Sequence, residues 1–305
     1  MKVNESISRD ILRLLIWFPF RWLTSVIPLN WLFYLFKSMG DMHFYLSKGK
    51  KNNISKNLKR LLGVDNNAAM HIVKKNFENH YTDRLHIFLY PRLTSRERIE
   101  KYVYFENLEV LDVELKKGKG VLLVQPHFGP VQITLLALAL YGYKPVQIGY
   151  PSDRGLSRIG KSVAYKYRIK YEAMLPAPIL PADGYLGKVY KYLVNGGVVL
   201  TTGDGAGGGV FLGKHRRFNF LGAERLFPLG PAAWAIKTKS AFIPTFIIYE
   251  IHNRFRIVFE RPIEGVCSDI EKDEAHITEQ FISITEEYIK KYPYCWHFWD
   301  EVGKI

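Results

Sequence analysis

The chain has 305 residues, a formal charge of +14, and 48% hydrophobic against 24% charged residues. That balance supplies a sizeable core and excludes a disordered or low-complexity chain. The cation excess asks for an anionic partner, either a membrane surface or a phosphorylated substrate. Nucleic acid is the weakest of the anionic partners and is not expected, because zinc-finger spacing, an RNA-binding aromatic signature and repeats are all missing. Cys267 and Cys295 are the two cysteines, without a C-x-x-C spacing. Neither a disulfide framework nor a thiolate metal site follows, and a reducing, cytoplasm-facing setting is expected.

Residues 11–36 are crowded with Leu, Ile, Trp and Phe, but Arg13 and Arg21 interrupt them and Pro19 and Pro28 break them. The longest uncharged stretch there, 22–36, has 15 residues, short of the roughly 20 needed to cross a bilayer. Lys37, Lys48, Lys50, Lys51, Lys56, Lys59 and Arg60 follow. Apolar aromatics with a cationic flank predict a segment seated in the interface of an anionic cytoplasmic leaflet. A two-helix hairpin in the protein core is the competing expectation, and a single span a third. Helices are predicted over 53–62 and 68–89.

After the turn at 116–120, strands are predicted at 121–125, 145–149, 197–202, 241–249 and 255–260. Helices are expected between them at 130–141, 156–170, 184–194 and 229–238, with a last one at 273–291 before the aromatic run 292–299. Strands alternating with helices predict an α/β fold, a mostly parallel central sheet flanked by helices. The sequence 121–132, VLLVQPHFGPVQ, runs an apolar strand into His127 and then opens a helix. This places an imidazole at the carboxyl edge of the sheet, where open α/β folds build their sites. The positive end of the helix dipole is expected to keep the ring neutral, fit to act as a general base. Gly129 and Pro130 read as helix cap and first-turn proline. Gln132, in the first turn, either caps the helix or accepts the Nδ1–H of His127.

These residues resemble the lysophospholipid acyltransferase superfamily, and within it the bacterial lipid A (Kdo-dependent lauroyl/myristoyl) acyltransferase branch. The superfamily's His-x4-Asp/Glu motif falls on His127 and Gln132. The apolar N-terminal helix, the segment 53–58 (NISKNL), the turn 204–211 (DGAGGGVF), residues 218–228, and Tyr292-Pro293 with Trp296 and Trp299 follow in the same order. The resemblance implies a glycerol-3-phosphate acyltransferase-like fold, with a helical membrane anchor over 1–50 and an acyltransferase domain over 51–305. It also implies transfer of a fatty acyl group to a hydroxyl or amine of a lipid acceptor. The donor would be acyl-CoA or acyl carrier protein acting as co-substrate, with no other cofactor and no metal. The enzyme would work among membrane lipids on the cytoplasmic face of the inner membrane.

Gln132 stands where the family has a carboxylate, and an amide cannot neutralise a forming imidazolium. In the serine-protease triad, a well-known case, an amide in place of the aspartate lowers turnover about 10⁴-fold. Three explanations compete. Another carboxylate, Asp204 or Asp153, reaches the ring; the acceptor is a better nucleophile, such as an amine; or the protein binds lipid without turnover. Asp204 ends an apolar strand and opens the glycine-rich turn, either to present N–H groups to an oxyanion or simply to bond its own backbone. The candidate catalytic residues are thus His127, Gln132 and Asp204. Lys214, Arg216, Arg217 and Arg225 are candidates for clamping a substrate phosphate. Arg154 and Arg158, after the second predicted strand, are candidates for the same task. Residues 155–162, GLSRIGKS, match the Walker A pattern, so a nucleotide-binding alternative places Lys161 on phosphates and Ser162 on Mg²⁺. Neither cysteine lies near the histidine, so direct transfer without an acyl-enzyme is expected.

Overall fold

Val121 to Gln125 are all buried, and such uninterrupted burial belongs to a parallel strand covered on both faces. A computed structural model describes residues 5–149, 152–182, 187–205, 212–266 and 269–302. The chain begins with helices α1 (Ile7–Leu15), α2 (Arg21–Val26), α3 (Leu29–Leu46), α4 (Lys48–Leu62), α5 (Asn66–Leu85) and the short α6 (Arg96–Ile99). Strands then interleave with helices: β1 (Val103–Glu106), α7 (Leu108–Lys116), β2 (Val121–Gln125), α8 (Val131–Leu140) and β3 (Pro145–Gly149). Next come α9 (Lys166–Glu172), β4 (Ile179–Pro181), α10 (Gly187–Val194), β5 (Val198–Thr202), β6 (His215–Phe220) and β7 (Ala223–Pro228). The last elements are α11 (Gly230–Thr238), β8 (Ala241–Tyr249), β9 (Phe255–Phe259) and α12 (Ile270–Lys291).

Seven strands form one sheet in the order β1-β9-β8-β2-β5-β3-β4, and β6 and β7 make a separate antiparallel hairpin. Within the large sheet every pairing is parallel except β8 with β9. The five predicted strands are all present. The edge strands β1 and β4 and the β6–β7 hairpin were not expected; the hairpin reads His-Arg-Arg-Phe-Asn-Phe and Ala-Glu-Arg-Leu-Phe-Pro, too polar for the apolar-run signal. β2 splits its side chains between two cores. Val121 and Leu123 join Ile133, Leu136 and Ile243 on one face, and Leu122 and Val124 join Val189, Phe242 and Phe281 on the other.

The N-terminal helices have two faces. Trp17, Leu32, Phe33, Phe36 and Phe44 are buried in the body of the protein, as the core-hairpin expectation required. Ile7, Trp22, Trp31, Tyr34, Tyr45 and Leu46 are exposed. Pro19, which cannot donate a backbone N–H, sits inside a π-helical turn (Ile16–Phe20) that joins α1 to α2. Among the described residues no helix is long and apolar enough to cross a membrane, so the single-span expectation finds no support.

Candidate active site

β2 and β5 lie side by side with Gln125 opposite Thr202. Two residues beyond each partner, at the carboxyl edge of the sheet, stand His127 and Asp204. The Asp204 carboxylate accepts the His127 backbone N–H at 2.8 Å and faces Nδ1 of the ring at 2.7 Å. Trp296 Nε1 approaches the same carboxylate at 3.5 Å. Asp204 is 3% exposed, whereas the imidazole keeps 23% of its surface open. With Nδ1–H donated to the carboxylate, Nε2 is the basic nitrogen.

The ring is therefore not held neutral by the helix, as the sequence predicted. Burial does press its pKa down, but the Asp204 charge and hydrogen bond, aided by Glu301, outweigh burial and raise it above 6.5. The helix explains part of the difference. α8 begins at Val131 with Pro130 in the cap position, four residues past the ring, and the dipole's influence fades within a turn.

Gln132 takes no part in this pair. Its Oε1 accepts from Tyr90 Oη at 2.6 Å and lies 3.0 Å from His86 Nε2, and its Nε2 donates to Glu172 Oε1 at 3.3 Å. The expected Gln132–His127 bond is thus replaced by a bracket joining α8 to the 3-10 turn that follows α5 (His86–Leu89, with Tyr90 at its end) and to α9. Glu172 is buried and also holds Arg168 at 2.8 Å. A carboxylate at position 132 would confront it, so the amide suits its neighbour. Asp153 does not face the ring either; it lies 4.0 Å from Lys161.

The loop carrying His127 is locked from two sides. Gly129 has φ +66°, and a Cβ there would sit 2.6 Å from the Ile247 carbonyl oxygen. The C-terminal aromatic run pairs with the loop as a short antiparallel bridge: Gly129 N–H donates to Cys295 O at 2.9 Å and His297 N–H to His127 O at 3.0 Å. Phe298 packs its ring 4.7 Å from the His127 ring. Trp296 and Trp299 are fully buried. The asparagines of 53–58 hold this run, Asn53 Nδ2 donating to Asp300 O at 3.1 Å and Asn57 Nδ2 to Trp299 O at 2.7 Å. Asn76 Nδ2 adds a bond to Trp296 O at 2.9 Å. Sequence reasoning noted the aromatic run without assigning Trp296 and Phe298 to the histidine. It also missed Asp83, which reaches His297 Nε2 at 2.5 Å.

The six basic candidates separate. Arg225 stacks over Phe220 and Trp296 at 5.8 and 5.6 Å. Burial lowers its pKa, and Asp204 and Glu301 oppose that shift, so its cation lies within electrostatic reach of the dyad's carboxylate. Lys214 is bound to Glu271 at 3.0 Å and to Glu274 at 3.5 Å, and Arg217 lies 3.4 Å from Glu224. Arg154, Arg158 and Arg216 are exposed, Arg216 beside the Phe218 ring. Of the glycine-rich turn, residues 206–211 lie outside the described residues, as does Cys267. The Walker-like segment is filled by α1. Ser157 Oγ donates to Asp10, a Gly160 Cβ would lie 2.9 Å from Arg13 Nη1, and Ser162 Oγ donates to Arg158 O. Its amides and hydroxyls hold protein, so the pattern marks no phosphate cradle. Among the described residues no cluster fit to hold a metal ion occurs.

A mostly parallel α/β sheet with a His–Asp pair at its carboxyl edge defines a class of sites able to activate a hydroxyl. The sequence profile of the bacterial lipid A biosynthesis acyltransferase family matches residues 4–300. The chain belongs to that family, and acyl transfer to a lipid acceptor is its class of activity. No curated protein matches the sequence. Among solved structures, the crystal structure of the 1-acyl-sn-glycerophosphate acyltransferase PlsC from Thermotoga maritima is similar at 15% identity. The alignment covers 86% of this chain and 96% of that one with a TM-score of 0.37, too low to argue from.

Proposed function

We propose that this protein moves a fatty acyl group from a thioester, acyl-CoA or acyl carrier protein, to a hydroxyl or amine of a membrane lipid such as a lipid A precursor or lysophospholipid. The observation that carries the reading is the His127–Asp204 pair, a buried carboxylate orienting a partly open imidazole. In this mechanism His127 Nε2 takes the proton as the acceptor oxygen attacks the thioester carbonyl. Asp204 steadies the resulting imidazolium, which a Gln at position 132 need not do. The tetrahedral oxyanion collapses, the carbon–sulfur bond breaks, and the imidazolium returns its proton to the departing thiolate. Arg225 is the cation best placed to steady negative charge at this edge. Cys295 is buried with its thiol pKa pushed up, which supports direct transfer over an acyl-enzyme.

The exposed apolar residues of α1–α3 support a seat in the membrane interface with no span required, and the proposed site of work is the cytoplasmic face of the inner membrane. The test offers purified protein both thioester donors and a panel of lipid acceptors, with products read by mass spectrometry. An acylated lipid formed by the wild type and lost in His127→Ala is expected. Lipid retained without any acyl product would instead establish a silent lipid-binding protein.

A further inference from the structure

A cleft of about 360 Å³ opens between the start of α3 and the chain leading into β1, lined by Leu29, Arg92, Arg98, Lys101 and Tyr102. Arg98 and Lys101 are exposed. Arg92 is the fixed cation: its Nη1 donates to Thr24 O at 2.8 Å and Ile27 O at 3.1 Å, pinning the α2–α3 turn. Tyr102 Oη donates to Asn30 Oδ1 at 3.1 Å and closes the other wall. Among the described residues no acidic side chain lines the cleft, so its three basic residues have no carboxylate among them.

Topology places the cleft relative to the chemistry. β1 is parallel to β9, β9 antiparallel to β8, and β8 parallel to β2. β1 therefore starts on the same sheet edge where β2 ends in His127. Three strand spacings, roughly 15 Å, separate the two strands along that edge. On α2 and α3, joined by the turn that Arg92 pins, Trp22 is 67%, Val26 57%, Trp31 69% and Tyr34 58% exposed. Aromatic rings beside cations on one edge match the chemistry of a membrane–water interface.

We propose that this cleft binds the phosphate of an anionic phospholipid in the leaflet and so sets the catalytic edge against the bilayer. The proposal rests on the interfacial seat argued above and adds a defined headgroup site to it. Arg98 and Lys101 contact the phosphate, and Arg92 holds the α2–α3 turn at the depth where Trp22 and Trp31 enter the acyl boundary.

The experiment measures partitioning onto vesicles of pure phosphatidylcholine and of phosphatidylcholine with 30% phosphatidylglycerol (roughly the anionic content that gives a strong surface potential). The full-length wild type is compared with Arg98→Gln/Lys101→Gln. Lys116→Gln/Lys119→Gln removes the same charge at the opposite edge, just ahead of β2. A basic residue near an anionic surface contributes about a fivefold gain in partitioning, so the cleft variant should bind anionic vesicles about 25-fold more weakly. Its binding to phosphatidylcholine and its acyl transfer in neutral detergent micelles should be unchanged, and the control should lose only a few-fold. Equal losses in the two variants, or no loss in the cleft variant, overturn the headgroup site. Wild type binding both vesicle types equally also overturns it while leaving the interfacial seat intact. Wild type binding neither removes both.

Discussion

Asp204 pairs with His127 where the resemblance led to the expectation of a partner at position 132, and in the proposed mechanism the consequence is a pH dependence. In that mechanism the free imidazole is the active form, and its pKa is raised above 6.5 by Asp204 against burial. kcat/KM should therefore climb through an acid limb lying above pH 6.5. In Asp204→Asn burial persists without the opposing charge, so the limb should move to lower pH, read from the same profile. The linkage to stability has the opposite sense. The pair stabilises the fold fully below pH 6.5, and that contribution is lost as pH rises through the raised folded-state pKa. Gln132 invites a second substitution. Gln132→Glu restores the family's acid but sets it about 3.3 Å from buried Glu172. Two such carboxylates cannot both ionise comfortably. A loss of about 1–3 kcal/mol in urea unfolding is expected, with no gain in turnover.

At the scale of elements, the site depends on a loop wedged between β8 and the C-terminal run. Gly129→Ala forces a Cβ onto the Ile247 carbonyl at a backbone angle that alanine resists. It should cost about 2–4 kcal/mol in denaturant melts, with activity falling alongside. Trp296→Ala removes a fully buried ring that also faces Asp204; about 3–5 kcal/mol is expected. Much of this arrangement is legible in the sequence. The run VLLVQ ending in Pro126-His127 states a buried strand and its edge, and the strand before Asp204 states another. What the sequence could not supply is that these strands are neighbours in register, which is what selects Asp204 over Gln132 and Asp153. The β6–β7 hairpin escaped because its strands are too polar for the apolar-run signal, although their partners are local. The Asn57–Trp299 tie escaped because its partners lie far apart in the chain, and a lone asparagine carries no periodicity to report it.

For the whole molecule, the N-terminal helices are scaffold and, in the proposed reading, contact surface as well. Their inward rings join the core, while Trp22 and Trp31 stay 67% and 69% exposed. Trp22→Ser/Trp31→Ser should leave the thermal midpoint within a degree or two, since little buried area changes. The same variant should partition onto vesicles at least ten-fold more weakly, read by sedimentation. The expected division at residue 50 falls inside α4 (Lys48–Leu62), whose Asn53 and Asn57, with Asn76 of α5, hold the backbone that braces the histidine.

The pairing of His127 with Asp204 is tested most directly by single-turnover acyl transfer in two variants, Asp204→Asn and Gln132→Ala, under one set of conditions. Asp204→Asn should slow the transfer step by about 10³–10⁴-fold, while Gln132→Ala should stay within about ten-fold of the wild type. A fast Asp204→Asn enzyme beside a Gln132→Ala enzyme that has lost its chemistry would contradict the account.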